Sequence, residues 1–206
     1  MNFDFTDDQQ AIKRTAKDLL ADRFKPERVR ELAEGGAYDD DAWNELCELG
    51  WPGIFIDEEH GGQGLGVVEL AILMEELGYA LAPVPFLGNV AAGLAIQAAG
   101  SDEQKQRWLP GLAAGELRGA AGIVRGDVAA LVPDGPDADV IALCSADGVT
   151  VVEASAAQVE QVATMDDTRR YARVKVNGAG EALEGEPGPG IGAALVAISA
   201  ELTGIC

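Results

Sequence analysis

A chain of 206 residues with 48% hydrophobic content has enough apolar material for one large domain or two small ones, and is not a disordered tail. Its net charge of −20 argues against nucleic acid and against an anionic membrane face, both of which reward a basic surface. Three cysteines without metal-ligand spacing fit a reducing compartment, and a single histidine makes a zinc site or a Ser/His/Asp relay hard to build.

The N-terminus lacks a signal-peptide pattern and no apolar run looks long enough to span a bilayer, so the expectation is a cytoplasmic protein without a membrane segment. Thr6 with Gln9 forms a capping-box pattern that starts a first helix, striped by Ile12, Ala16, Leu19 and Leu20 and ending near Phe24. Pro26 opens a second helix and Gly35 with Gly36 stops it. Asp39 to Asp41 begin a third, with Trp43, Leu46, Cys47 and Leu49 on its buried side and Gly50 as its stop.

From Glu48 an apolar extended run leads into a glycine-dense turn, Gly61 to Gly66, and then a fourth helix over 67–79 that is apolar on most sides. The glycines fail the G-x-G-x-x-G spacing and lack a βαβ unit, so they make a structural turn rather than a phosphate cradle. His60 is expected at the surface or in the turn, and the adjacent pairs Glu58/Glu59 and Glu75/Glu76 on solvated faces. An alanine-rich fifth helix follows over about 88–99. Ser101 with Gln104 caps a sixth through Trp108 and Leu109.

After Gly115 the period changes. Valine-rich runs over 118–124, 127–133, 139–145, 148–154 and 170–176, separated by turn-prone pieces, predict a small antiparallel sheet or barrel. A linker over 178–190 leads to a last helix from Ile191, apolar on nearly all sides and therefore in need of partners. The expected class is α+β: an N-terminal all-α domain of six helices (1–115), a shortened middle β domain (116–183), and a linker with the first helix of a C-terminal bundle (184–206).

That order resembles the acyl-CoA dehydrogenase family, and three stretches carry the resemblance. ELGWPGIFIDEEHGGQGLGVVELAILMEELGYALAP is similar to the family's leucine-glycine turn, its glycine-glycine loop and its Glu-Glu-Leu-Gly helix. SDEQKQRWLPGLAAGEL is similar to its G-S/T-x-E-Q-K-x-x-W/Y-L-P segment, and DDTRRYARVKVNG to its D-x-T-R strand. The resemblance implies FAD held between the β domain and the C-terminal bundle, and oxidation of an acyl-CoA at its α and β carbons by a carboxylate base and the flavin. It further implies an electron-transfer acceptor and a role in fatty acid or steroid side-chain degradation.

Three departures from that pattern shape the functional expectation. The family's T-E-P-x-x-G-S-D flavin loop is missing after Gly119. The flavin-contacting trio falls on Leu131, Val132 and Pro133, and proline brings no donor. The usual base position implied by the resemblance is expected beyond Cys206 and the alternative one falls near Ala194, so no catalytic base is visible. By the same resemblance Val84, Phe86, Leu87 and Val90 occupy the acyl-pocket region, although by spacing alone they are core. Arg169, Arg173 and Lys175, placed on one strand face with Tyr171, form a basic ribbon for a phosphate or an acidic partner, or else a solvated face. The chain is thus expected to be a half-site subunit of a heteromeric acyl-CoA dehydrogenase, sharing FAD with a second subunit. The alternative is a flavin-free pseudoenzyme acting as a scaffold or acyl-CoA-binding module.

Overall fold

The computed structural model describes residues 4–176 and 180–206. Six helices come first: α1 (Asp7–Arg23), α2 (Pro26–Gly35), α3 (Asp40–Glu48), α4 (Val67–Tyr79), α5 (Phe86–Ala99) and α6 (Asp102–Ala114). Local chemistry sets their ends. The Thr6 and Ser101 hydroxyls accept from the amides of Gln9 and Gln104, and both glutamines reach back to the capping residues, so α1 and α6 begin on capping boxes. Asp39 caps α3 by accepting from the Ala42 amide, and Gly36 closes α2 in the left-handed region.

Between α3 and α4 the expected extended run is absent. Residues Trp51–Gly53 and Glu58–His60 form short 3-10 turns, and Trp51, Ile54, Phe55 and Ile56 are all buried without pairing as a strand. Gly61 and Gly64 have φ of 81° and 64°, which only glycine adopts without strain. The amides of Gly62, Gly64 and Leu65 donate to Asp57, Ile56 and Ile54, so the turn satisfies its own donors and leaves none of them for a phosphate.

A curled sheet follows: β1 (Gly119–Arg125), β2 (Val128–Pro133), β3 (Val140–Ser145), β4 (Gly148–Glu153), β5 (Ala157–Val162), β6 (Tyr171–Val176) and β7 (Glu181–Ala182), in the order β5-β6-β2-β1-β3-β4-β7. The pairings are antiparallel except β1 with β3, which is parallel over Gly119–Ile123 and Val140–Cys144. β1 turns directly into β2 at Gly126, whose φ is 70°. A small second core, including Ala129, Val132, Ile141, Ala172 and Val174, lies inside the curl. Residues 177–179 of the expected linker lie outside the described residues.

The last helix, α7 (Gly188–Ile205), lies against α4 and α5. Its approach to α4 depends on two glycines: a Cβ at Gly78 would overlap the Glu201 carbonyl, and one at Gly204 the Glu75 carbonyl. By length and composition α7 could cross a membrane, contrary to the sequence expectation, but here it carries a buried Glu201 and rests on two other helices. Its remaining face is bare: Leu195, Val196, Leu202 and Ile205 are 59, 45, 55 and 51% exposed.

Several side chains differ from their sequence expectation. Leu49, expected to be buried, is 40% exposed at the end of α3. His60 lies in the second 3-10 turn, one of its two expected places, and is buried there rather than exposed. Glu76 is buried rather than solvated, and the Lys13 ammonium at 3.4 Å compensates its charge.

Candidate functional site

Two cavities flank α7. One, of about 350 Å3, lies between α5, β1, the β3–β4 turn and α7. Pro133 ends β2 at its wall, Leu87 and Ala91 face it from α5, Ala121 from β1, Cys144 from β3, and Ala194 from α7. Burial pushes the Cys144 thiol up, so it stays protonated and apolar. The other, of about 440 Å3, lies between the ends of α4 and α7 and the segment entering β6. Leu87 borders both cavities.

A polar network joins the helices, the sheet and α7 beside the second cavity. Asp134 sits after β2 with φ of 61°, is fully buried, and accepts from the Tyr38 hydroxyl and, at 2.7 Å, from the Gly88 amide. The Arg170 amide donates to the Tyr38 oxygen at 2.9 Å. Burial raises the Asp134 pKa, against the opposing pull of Arg169, Tyr38 and the Gly88 amide. The Arg169 guanidinium grips Glu201 on α7 with two hydrogen bonds, of 2.5 and 3.3 Å. Burial works against the Arg169 charge, but Asp134 and Glu201 outweigh it and hold the guanidinium protonated. Nearby, Asn89 of α5 accepts from the Gly119 amide and donates to the Leu112 carbonyl, fixing β1 to the helices.

The sequence-derived positions separate on this frame. Of the trio at the end of β2, Leu131 is 56% exposed, Val132 is fully buried in the sheet core, and Pro133 lines the first cavity. Of Val84, Phe86, Leu87 and Val90, only Leu87 faces a cavity; the other three are at most 4% exposed within the helical core. The basic ribbon does not form as expected. Arg169 precedes β6 and turns to Glu201, because a buried guanidinium needs a carboxylate more than a strand position. Arg173 and Lys175 stay on exposed strand positions, 3.5 Å from Glu160 and Asp127. Asp134, Tyr38, Asn89 and Glu201 went unnoticed in the sequence. The αL-tolerant Asp-Gly pair at 134–135 is the signal that could have found the first of them.

The first cavity fits a flavin ring poorly on the residues this chain supplies. A flavin ring needs donors for its carbonyl oxygens and ring nitrogens, and the lining is hydrocarbon apart from a thiol and the Ser145 hydroxyl, which the Gly148 carbonyl and the Asp147 amide engage. None of the buried polar atoms left without a partner among the described residues, on His60, Trp108, Asp137 and Arg170, lines this cavity. Ala194 brings a methyl group to the α7 wall and no base.

Residues 6–116 match the acyl-CoA dehydrogenase N-terminal domain, and the chain belongs to the acyl-CoA dehydrogenase family. It is 36% identical over 171 residues to the acyl-CoA dehydrogenase IpdE2 of Mycobacterium tuberculosis, covering 82% of this chain and 51% of that protein. It is 30% identical over 172 residues to IpdE2 of Mycolicibacterium smegmatis, covering 82% and 52%. The chain thus spans about half the length of these curated relatives. Among solved structures, a variant of the Tcur3481-Tcur3483 steroid ACAD is similar, with a TM-score of 0.81, 25% identity, and coverage of 96% of this chain and 63% of that one. The ChsE4-ChsE5 complex from Mycobacterium tuberculosis shares the fold, with a TM-score of 0.82 at 23% identity and coverage of 99% and 65%.

Proposed function

We propose that this chain acts as the half-site subunit of a flavin-dependent acyl-CoA dehydrogenase, in which a second chain brings the flavin-binding polar groups and the catalytic base. The observation that carries this reading is the cavity between α5, β1 and α7: it lies where α7 meets the sheet and its lining gives a flavin ring no free side-chain N–H or O–H donor. The bare apolar face of α7, with Leu195, Val196, Leu202 and Ile205 exposed, is a surface against which further helices would pack. The ChsE4-ChsE5 complex and the Tcur3481-Tcur3483 steroid ACAD, named in pairs, are precedents for the two-chain arrangement.

In this arrangement the chain's own residues exclude water and set geometry. Leu87, Ala121, Pro133 and Ala194 keep the shared cleft dry, and the Arg169–Glu201 pair holds α7 at a fixed position against the sheet. When bound, FAD supplies the oxidising power for an acyl-CoA thioester. The test is co-expression with a candidate acyl-CoA dehydrogenase subunit that carries the flavin loop and the base. Copurification in a fixed ratio, with acyl-CoA oxidation that neither chain performs alone, is the expected result. Full activity of this chain by itself would refute the half-site assignment.

The hydrocarbon lining of the cavity also favours a second reading, in which the chain is a flavin-free scaffold or acyl-CoA-binding module. A pair that copurifies without flavin and without activity would select it.

A further inference from the structure

A further groove adjoins the larger α7 cavity, with which it shares Leu81 and Thr168. A half-open cleft of about 660 Å3 runs between α1, α2 and the C-terminal end of α4, within the size range of small-molecule sites. Leu20, Phe24 and Val29 form a hydrocarbon floor and are themselves at most 8% exposed. Tyr79 and Leu81 stand along one wall and remain 73% and 43% exposed. Leu81 has φ of 49°, a conformation a large side chain adopts only when its surroundings impose it.

The charge around this floor is opposite to that of the molecule. The chain carries 35 acidic against 15 Lys and Arg side chains, yet Lys17, Lys25 and Arg30 all line this one groove. Lys25 lies 3.5 Å from Asp22, whereas Lys17 and Arg30 have no ion pair or hydrogen bond among the described residues. The carboxylate lining the groove, Glu76, is buried and shares the Lys13 ammonium, at 3.4 Å, with Glu75 at 3.0 Å, so three cations face one partly compensated carboxylate. Unpaired cations beside an apolar floor recognise an anionic head joined to a hydrocarbon tail.

We propose that the α1–α2–α4 groove binds a free single-chain amphiphile, its tail laid over Phe24 and Leu81 and its carboxylate or phosphate head between Lys17, Lys25 and Arg30. A membrane lipid carries the same head chemistry, but an anionic bilayer would have to approach a protein of net charge −20, whereas a single molecule meets only the groove. The tail path reaches Leu81 at the edge of the larger α7 cavity, but the head site does not, since Lys17 and Arg30 lie on α1 and α2 and touch neither α7 cavity; the proposal therefore stands apart from the half-site reading.

Calorimetric titration of the purified protein with dodecyl phosphate below its micelle concentration tests this, with dodecanol and phosphatidylserine vesicles as parallel arms. Saturable binding of one dodecyl phosphate is expected, at least tenfold weaker in the double variant Lys17→Glu/Arg30→Glu, with dodecanol weaker by a similar factor. Both substituted side chains are exposed, and an unchanged melting temperature confirms the fold of the variant. Equal affinity of the double variant, equal binding of dodecanol, or binding to vesicles without binding to dodecyl phosphate would each overturn the proposal.

Discussion

Arg169 and Glu201 join the sheet to the last helix: the guanidinium, on the segment entering β6, meets both carboxylate oxygens on α7 at 2.5 and 3.3 Å, with the two side chains 17 and 12% exposed. Breaking a pair this buried leaves one charge without compensation, and removal of one partner costs about 3–5 kcal/mol. Arg169→Met should therefore destabilise the protein by about 3 kcal/mol, and Arg169→Met with Glu201→Met by clearly less. Urea unfolding of the singles and the double checks this; additive losses would show that the pair is not coupled.

Asp134 gives the fold a pH dependence. Burial raises its folded pKa above the unfolded value of about 4, so its contribution to stability is complete below that value and falls as pH rises through the folded pKa. The stability of the wild type relative to Asp134→Asn should accordingly decline from about pH 4 upward, as read from urea midpoints across the range. Tyr38→Phe removes the hydroxyl that donates to Asp134 and accepts from the Arg170 amide, and should cost about 1–3 kcal/mol at any of these pH values.

Gly78 and Gly204 set the α4–α7 distance. Gly78→Ala or Gly204→Ala places a methyl group on a carbonyl of the opposite helix, and each should destabilise by about 1–3 kcal/mol in thermal unfolding. Unchanged melting would mean that the helices separate without loss.

The three thiols should react in order of burial. Cys206 is exposed, whereas burial pushes the Cys47 thiol up to about 11 and raises that of Cys144. In a native alkylation time course one thiol should react fast and the other two on the order of 100-fold more slowly, because the thiolate is the nucleophile. Equal rates would place Cys144 in open solvent.

Much of the helical part is legible because its signals are local. The capping boxes at Thr6 and Ser101, the proline at the start of α2 and the glycine after it each act within one turn of chain. The apolar stretch over 51–56 reads as extended because periodicity cannot tell a buried run of turns from a strand. β5 is missed because it is an edge strand with mostly exposed side chains, and the parallel β1–β3 pair depends on a crossover that no local pattern encodes. The polar network is missed for the same reason: Tyr38 lies 96 positions from Asp134, and Arg169 lies 32 from Glu201. At the cavity, the family resemblance marks Leu87 and Pro133 as candidates but cannot separate them from Val90 and Val132, which the packing turns into the core.

The central claim is tested most directly by counting flavin, through visible absorbance and released FAD, in this chain purified alone and after co-expression with a candidate second subunit. The half-site account predicts a colourless single chain and a yellow complex with one FAD for each pair of different subunits. A yellow single chain carrying one FAD per copy would contradict it.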